Sequence, residues 1–432
     1  MHGDHPMTII HNTPSLSGMI QSPPSKSYTH RAIIMASLAR GKSEIKNPLI
    51  GQDTLASIRA CRELGAIIND DNGAILEIIQ ESELKTPQDV INVENSGTTM
   101  RIIATVASLA PGTTILTGDQ SIRSRPMAPL LKALNELGVN CWSSKNDGFP
   151  PIIIKGGGIN GGKAIIPGNL SSQFISALLI AAPFAENNVE IILSTPLVSA
   201  PYVQITMEML KERGITIHQT NNGFRIPNRQ TYNPINDLIP GDYSSASFIM
   251  AAAALTKSKV TITNLAENTN QGDALITQIL RKMGVDVQIN TQRKEVTITG
   301  GNPLVGTTLD CGSVPDLLPI LGVLGAFAKG VTKLINCAHA RFKESDRIFT
   351  TTTELRRLGV DAKELNDGII IQGAQLINGG RVETYGDHRI AMAFTIAGLR
   401  SKTPVIIDHP EVVRVSYPKF FEDLISLGSN IE

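Results

Sequence analysis

The sequence predicts an α/β protein of two similar halves, each built from three repeated units with the most apolar helices inside and the sheets outside. Two out-of-phase repeats, and the strand-like runs between them, support this class. In the first repeat a helical stretch runs into a glycine and then a β-branched run: RELGAII, NELGVNC, KERGITI, RKMGVDV, RRLGVDA and ISLGSNI, at Gly65, Gly138, Gly214, Gly284, Gly359 and Gly428. Glycine suits the position just past a helix end, where the backbone often needs a positive φ. The second repeat consists of apolar helices with small polar entries, at 26–41, 96–112, 171–186, 244–259, 314–330 and 386–402.

The helices of the two series differ in kind. RPMAPLLKALNELG and DALITQILRKMG carry one apolar stripe and face solvent, whereas SSASFIMAAAALTKSK and VPDLLPILGVLGAFAKG are apolar on most of their circumference and need protein on every side. Between helices, AIIND, PPIIIKG, VEIILS, KVTITNL, EVTITG and GIIIQG have strand composition. Each unit therefore holds strands and two helices in roughly 70 residues, a period longer than that of the common helical solenoids. Three buried helices clustered behind sheets close one globular half, so six units give two. The divide falls near the middle, around PGDYSSAS at 240–247.

Composition narrows the function. The 432 residues carry zero net charge and 4% aromatics, so neither a basic field nor a stacking platform points to nucleic acid. No apolar run reaches the roughly 18 to 20 residues that span a bilayer. The start, MHGDHPMTII, lacks a signal-peptide pattern, and Met7 is an alternative initiation point. Cys61, Cys141, Cys311 and Cys337 show neither CxxC spacing nor a disulfide framework, which fits reduced structural thiols and a cytoplasmic location. His2 and His5 sit on a terminus expected to be flexible, and no other spacing reads as a metal site. Residues 157–163, GGINGGK, begin like a phosphate loop, but Ala164 replaces the magnesium-binding hydroxyl and a strand follows instead of a helix, so a glycine-rich turn is expected.

The chemistry is concentrated at the entries of the apolar helices. A helix N-terminus offers unpaired N–H groups and the positive end of the dipole to phosphate or carboxylate. The first entry has Ser25, Lys26, Ser27 and Arg31; the second has Ser96, Gly97, Thr98 and Arg101; the third has Ser171, Ser172 and Gln173; the sixth has Asp387, His388 and Arg389. Arg123 and Arg125 precede one amphipathic helix, and Lys343, Glu344, Asp346 and Arg347 precede another. If pseudo-symmetry aims these ends into one cleft, the cleft binds an anionic substrate. Three plainer readings remain open: Ser and Thr as helix caps only, KESDR as a solvated helix start with local ion pairs, and Asp316 as a first-turn carboxylate complementing the dipole.

SPPSKSYTHRA, NSGTTMR, RSRPM, SSQF, SAPYV, VPDLLP, FKESDR and YGDHRIAMAF, in this order across residues 22–395, resemble the 5-enolpyruvylshikimate-3-phosphate synthase family. The resemblance implies two domains, each of three βαβαββ-type units in an inside-out α/β arrangement, one spanning 23–241 and the other 1–22 plus 242–432. Crossings would fall near Ser22 to Pro24 and Gly241 to Tyr243, with the N-terminal strand completing the C-terminal half. It also implies transfer of the enolpyruvyl group of phosphoenolpyruvate to the 5-hydroxyl of shikimate 3-phosphate, without metal or organic cofactor, by a monomer. By similarity, Lys26, Ser27, Arg31, Ser171, Ser172, Gln173, Ser199, Asp316 and Lys343 hold shikimate 3-phosphate, with Tyr202 packed against it. Phosphoenolpyruvate falls to Lys26, Gly97, Arg125, Gln173, Arg347 and Arg389. Asp316 is the implied base and Glu344 the implied acid, with Lys26 as a further proton carrier. Gly97 suggests sensitivity to glyphosate, the family's inhibitor.

Two departures from the family pattern stand out. Pro24 replaces the glycine of the usual PGSKS, and Val415 stands where many members carry a lysine; the neighbouring Arg414 either substitutes for that lysine or, since neighbours on an extended segment face opposite sides, points away. The sister UDP-N-acetylglucosamine enolpyruvyl transferase shares fold and phosphoenolpyruvate, but its Lys-Asn entry and loop cysteine are absent. A non-catalytic scaffold would not need Lys26, Arg125, Asp316, Glu344, Arg347 and Arg389 together.

Overall fold

The helix-stop glycines organise the backbone as their sequence context requires. In the computed structural model, which describes residues 7–374 and 376–432, Gly65, Gly138, Gly214, Gly284, Gly359 and Gly428 all have positive φ, from 81° to 105°. At each, the amide after the glycine reaches back to the carbonyl five residues earlier: Ala66 to Cys61, Val139 to Leu134, Ile215 to Leu210, Val285 to Leu280, Val360 to Leu355 and Ser429 to Leu424, at 3.0–3.1 Å. This bond is the signature of a Schellman end, and it turns the chain from helix into the next strand. His2 and His5 lie outside the described residues.

The chain divides into two compact units, one of residues 26–239 and the other of residues 1–25 with 240–432. In the continuous unit three helices, Lys26–Ala36, Gly97–Val106 and Ser172–Ala181, are buried along most of their length. Three four-stranded sheets surround them. Each repeats one plan: a first strand parallel to a second, followed by an antiparallel hairpin. In the first sheet the parallel edge is Asn236–Leu238, returning from the end of the unit to pair with Gly41–Lys46. Arg213, 1% exposed at the end of helix Ala200–Glu212, makes an ion pair with Asp237 of that returning strand and also donates to the Met209 carbonyl at 3.0 Å. This pair ties the last helix to the first sheet.

The other unit follows the same plan with helices Tyr243–Leu255, Leu318–Phe327 and His388–Gly398 inside. Every residue of these three helices is buried, which explains why their sequences lack a polar face. The N-terminal segment supplies two strands here. Ser17–Gln21 runs parallel to Lys259–Thr263, and Met7–Ile10 runs antiparallel to Val405–Asp408 in a sheet of three. The place of that sheet's missing fourth strand is taken by the end of the chain, where Ile9 and Glu432 exchange backbone hydrogen bonds of 2.8 and 2.9 Å. Residues 162–166, after the GGINGGK glycines, form a strand, so the phosphate-loop reading fails on structure as well as sequence.

Two stability effects follow. A Cβ at Gly428 would meet nothing within 4 Å, so Gly428→Ala isolates the backbone cost of a positive φ, about 1 kcal/mol, read as a lower denaturation midpoint. Asp237→Ala leaves the Arg213 charge buried and is expected to cost about 3 kcal/mol or more by the same measurement.

Candidate active site

In the continuous unit the entries of the three buried helices are fastened to one another by polar side chains. Lys26 lies 2.8 Å from Asp53, both mostly buried. His30 and Ser57 are joined at 2.8 Å, Ser57 and Thr99 at 2.8 Å, and Thr99 and Ser96 at 2.7 Å, so a buried chain of hydrogen bonds links the first entry to the cap of the second. Burial, then the Lys26 and Arg31 charges, hold His30 well below its ordinary pKa and therefore neutral. Arg101 reaches the third entry by donating to the side-chain amide oxygen of Gln173, while the side-chain amide nitrogen of Gln173 donates to Thr98 at 3.0 Å. The Arg101 guanidinium also lies 5.4 Å from the Phe174 ring centroid. Arg31 closes the circuit. It donates to Thr206 at 2.8 Å, the Ser27 carbonyl at 2.9 Å, the Tyr202 carbonyl at 3.1 Å and Ser176 at 3.3 Å.

These contacts separate buried framework from partly open groups. Arg31 is 2% exposed, and burial lowers its pKa to about 10, which leaves it protonated at neutral pH. Lys26, Ser27, Ser171, Gln173 and Tyr202 are partly exposed, whereas Ser172 and Ser199 are buried. Ser171 caps its helix by accepting from the Gln173 amide at 3.2 Å. Ser199 adopts a left-handed φ of 52° ahead of helix Ala200–Glu212, a costly conformation for a residue with a side chain. Arg125 is buried and donates to Asn95 and Ser121, both at 2.9 Å, whereas Arg123 is exposed. Gly97 is packed against guanidinium groups: a Cβ there would stand 2.7 Å from Nη1 of Arg125 and 2.9 Å from Nη1 of Arg101.

In the discontinuous unit one side chain organises the corresponding region. Arg347 is fully buried and touches three carboxylates: Asp316 at 2.7 Å, Glu344 at 2.8 Å and Asp387 at 2.8 and 3.1 Å. Burial alone would lower its pKa, but Asp387, Glu344 and Asp316 outweigh this and raise it. Asp387 also caps helix His388–Gly398 by accepting from the Arg389 amide at 2.9 Å, and it accepts from Ser345 at 2.9 Å. Asp316, 14% exposed at the entry of helix Leu318–Phe327, is approached by Lys343 at 3.4 Å and Arg389 at 3.3 Å. Asp316, Glu344, Lys343, Arg347 and Arg389 thus form one cluster. His339 beside them is held neutral, its pKa lowered to about 4 by burial and the Lys343 charge. KESDR is therefore not a solvated helix start.

Sequence reasoning missed Asp53, which resembles an ordinary first-turn carboxylate in its helix Gln52–Glu63; only its contact with Lys26 distinguishes it. Arg101 was visible as an entry residue but not as a partner of Gln173. Val415 is buried and Arg414 exposed, as for neighbours facing opposite ways, but their segment, Pro410–Val415, is a 3-10 helix and not the extended chain expected. All four cysteines are free and buried. Among the described residues no His, Cys, Asp or Glu cluster is arranged to hold a metal ion, and no helix is long and apolar enough to cross a membrane.

A model of the family EPSP synthase (3-phosphoshikimate 1-carboxyvinyltransferase) matches residues 10–424. The chain is 47% identical over 427 residues to 3-phosphoshikimate 1-carboxyvinyltransferase of Methanocaldococcus jannaschii, covering 99% of each, and 45% identical to that of Methanothermobacter thermautotrophicus, covering 97% of this chain and 98% of the relative. Among solved structures, an EPSP synthase from Acinetobacter baumannii superposes with a TM-score of 0.83 at 30% identity, covering 99% of both chains. With a family match across nearly its whole length and relatives this similar end to end, the chain belongs to the EPSP synthase family.

Proposed function

We infer that this chain transfers the enolpyruvyl group of phosphoenolpyruvate to the 5-hydroxyl of shikimate 3-phosphate, releasing phosphate, a step toward aromatic amino acids. The observation that carries the reading is Asp316, a partly open carboxylate contacted by Lys343, Arg347 and Arg389. Such a group can accept a proton while the cations around it meet anionic substrate.

The reading assigns shikimate 3-phosphate to Lys26, Ser27, Arg31, Ser171, Ser172, Gln173, Ser199, Asp316 and Lys343. Arg31 serves by ordering the Ser27 and Tyr202 backbone, since it spends its donors on internal partners. Phosphoenolpyruvate is assigned to Lys26, Gly97, Arg125, Gln173, Arg347 and Arg389. Arg101 joins this set as a positioning residue, because it fixes the Gln173 side chain. Asp316 takes the proton of the 5-hydroxyl as that oxygen attacks C2 of phosphoenolpyruvate, and Glu344 gives a proton to the methylene carbon. A methyl proton then returns to Glu344 as the C–O bond to phosphate breaks, and the proton taken up by Asp316 leaves with the phosphate, with Lys26 beside the departing oxygen. Glu344 rests against Arg347 at 2.8 Å.

The reading takes the protein as a monomer, and the four free thiols fit a reducing cytoplasm. The reaction is tested by phosphate release that depends on both substrates together; release with either alone, or none, rejects it. Asp316→Asn should lower kcat by about 10²- to 10⁴-fold, the usual worth of a positioned base, with the fold intact by circular dichroism. Gly97→Ala pushes its Cβ against Arg125 and Arg101, so KM for phosphoenolpyruvate should rise by about tenfold or more, with a smaller change for shikimate 3-phosphate.

A further inference from the structure

The segment that carries Lys343 and Glu344 is not held by the core. From Arg341 to Asp346 no side chain is buried, and Phe342, its one large apolar residue, is 45% exposed. Polar contacts must therefore fix its place. On the side of the site these include Lys343 to Asp316 at 3.4 Å, Glu344 to Arg347 at 2.8 Å and Ser345 to Asp387 at 2.9 Å. The first two join groups that the mechanism above gives over to the substrates, so they are exchanged in each turnover.

On the other side the contacts converge on Arg341, which the mechanism does not use. Its Nη1 lies 2.7 Å from Asp346 and 2.8 Å from Glu364, while Nε donates to the Asn366 carbonyl at 3.0 Å and Nη2 to the Leu365 carbonyl at 2.7 Å. Glu364 and Leu365 end the strand Asp361–Leu365, and Asn366 begins the turn into its partner Gly368–Gln372. The next carbonyl of that turn, of Asp367, accepts from the Cys337 amide at 2.9 Å. Three consecutive carbonyls of one hairpin thus take donors from residues 337 and 341, just ahead of the segment. At its far end Asp346 caps helix Arg347–Arg357 by accepting from the Phe349 amide at 3.0 Å. Arg341 therefore ties the start of the loop to its end, and both to the sheet. A guanidinium fork meets four acceptors in fixed directions, which a lysine ammonium cannot do.

We propose that Arg341 is a positioning residue for the transfer: by clasping Asp346 and the hairpin turn it keeps Glu344 and Lys343 in place while their own contacts are given over to substrate. The inference rests on the assignment of Glu344 as the acid and of Lys343 to shikimate 3-phosphate. Partly exposed ion pairs add little stability singly, so the role is read in rate and not in folding. A reacting group displaced by about 1 Å loses about a hundredfold in rate.

The test is a pair of double-mutant cycles on the whole protein. Arg341→Lys keeps the charge and loses the fork, and should lower kcat about 10- to 100-fold with circular dichroism unchanged. In a Glu344→Gln background the same substitution should lower kcat by less than about threefold, because the group it positions is gone. The second cycle reads Lys343 and decides the matter where Glu344→Gln turns over too slowly to follow. Arg341→Lys should raise KM for shikimate 3-phosphate about fivefold in the unmutated background and by less than about twofold beside Lys343→Ala. Collapse of the effect in either cycle supports the inference. A merely structural role costs the same factor in every background, so undiminished effects in both cycles overturn it, as does a kcat for Arg341→Lys within about twofold of the unmutated protein. Should Arg341→Lys not fold, Asp346→Asn takes its place in the same cycles with the same two outcomes, since asparagine still caps the helix but lacks the charge that Arg341 clasps. Absence of turnover by the unmutated protein removes the functional reading and this inference with it, whereas turnover with undiminished effects removes only the role of Arg341.

Discussion

A helix with no polar face cannot lie on a surface, and the architecture of both units follows from that constraint. Tyr243–Leu255 buries all thirteen of its residues, and its two companions in the same unit are buried throughout. Such helices have to pack on one another and be covered by the apolar faces of the sheets and of the amphipathic helices. Flanks that are uncharged along most of their length leave the ends of the helices as the places where charge can reside. Serines, aspartates, lysines and arginines accumulate there, where unpaired N–H groups already favour anions.

The two units use those ends differently. In the continuous unit the polar groups brace the three entries against one another: Arg31, Arg101 and the chain from His30 to Ser96 each link one entry to the next. In the discontinuous unit a single guanidinium does the corresponding work, with three carboxylates on Arg347. A buried ion cluster of this kind adds little net stability over apolar packing, because desolvation offsets attraction. What it supplies is fixed geometry around Asp316 and Glu344 with all their counter-charges in place.

Much of this was legible in the sequence. The six glycines marked helix ends because only one backbone geometry suits that position, and all six show the same backward hydrogen bond. The buried helices were legible because full burial erases periodicity, a signal that survives without any alignment. Pairwise contacts were not legible. Asp53 has the look of an ordinary first-turn carboxylate, and only the structure shows that it meets a lysine. The burial of Arg347 was hidden because KESDR has the composition of a solvated helix start. Nor did the repeat reveal that the N-terminal segment contributes strands to two sheets, since neither strand has a neighbour nearby in sequence.

The sheet that joins Met7–Ile10 to Val405–Asp408, with Glu432 bonded to Ile9, bears on the order in which the protein takes shape during synthesis. Residues 26–239 contain every strand of their own three sheets, so that unit has all its partners as soon as it leaves the ribosome. The other unit begins first and finishes last. Its opening strands must wait through the whole intervening unit, Ser17–Gln21 for Lys259–Thr263 and Met7–Ile10 for Val405–Asp408.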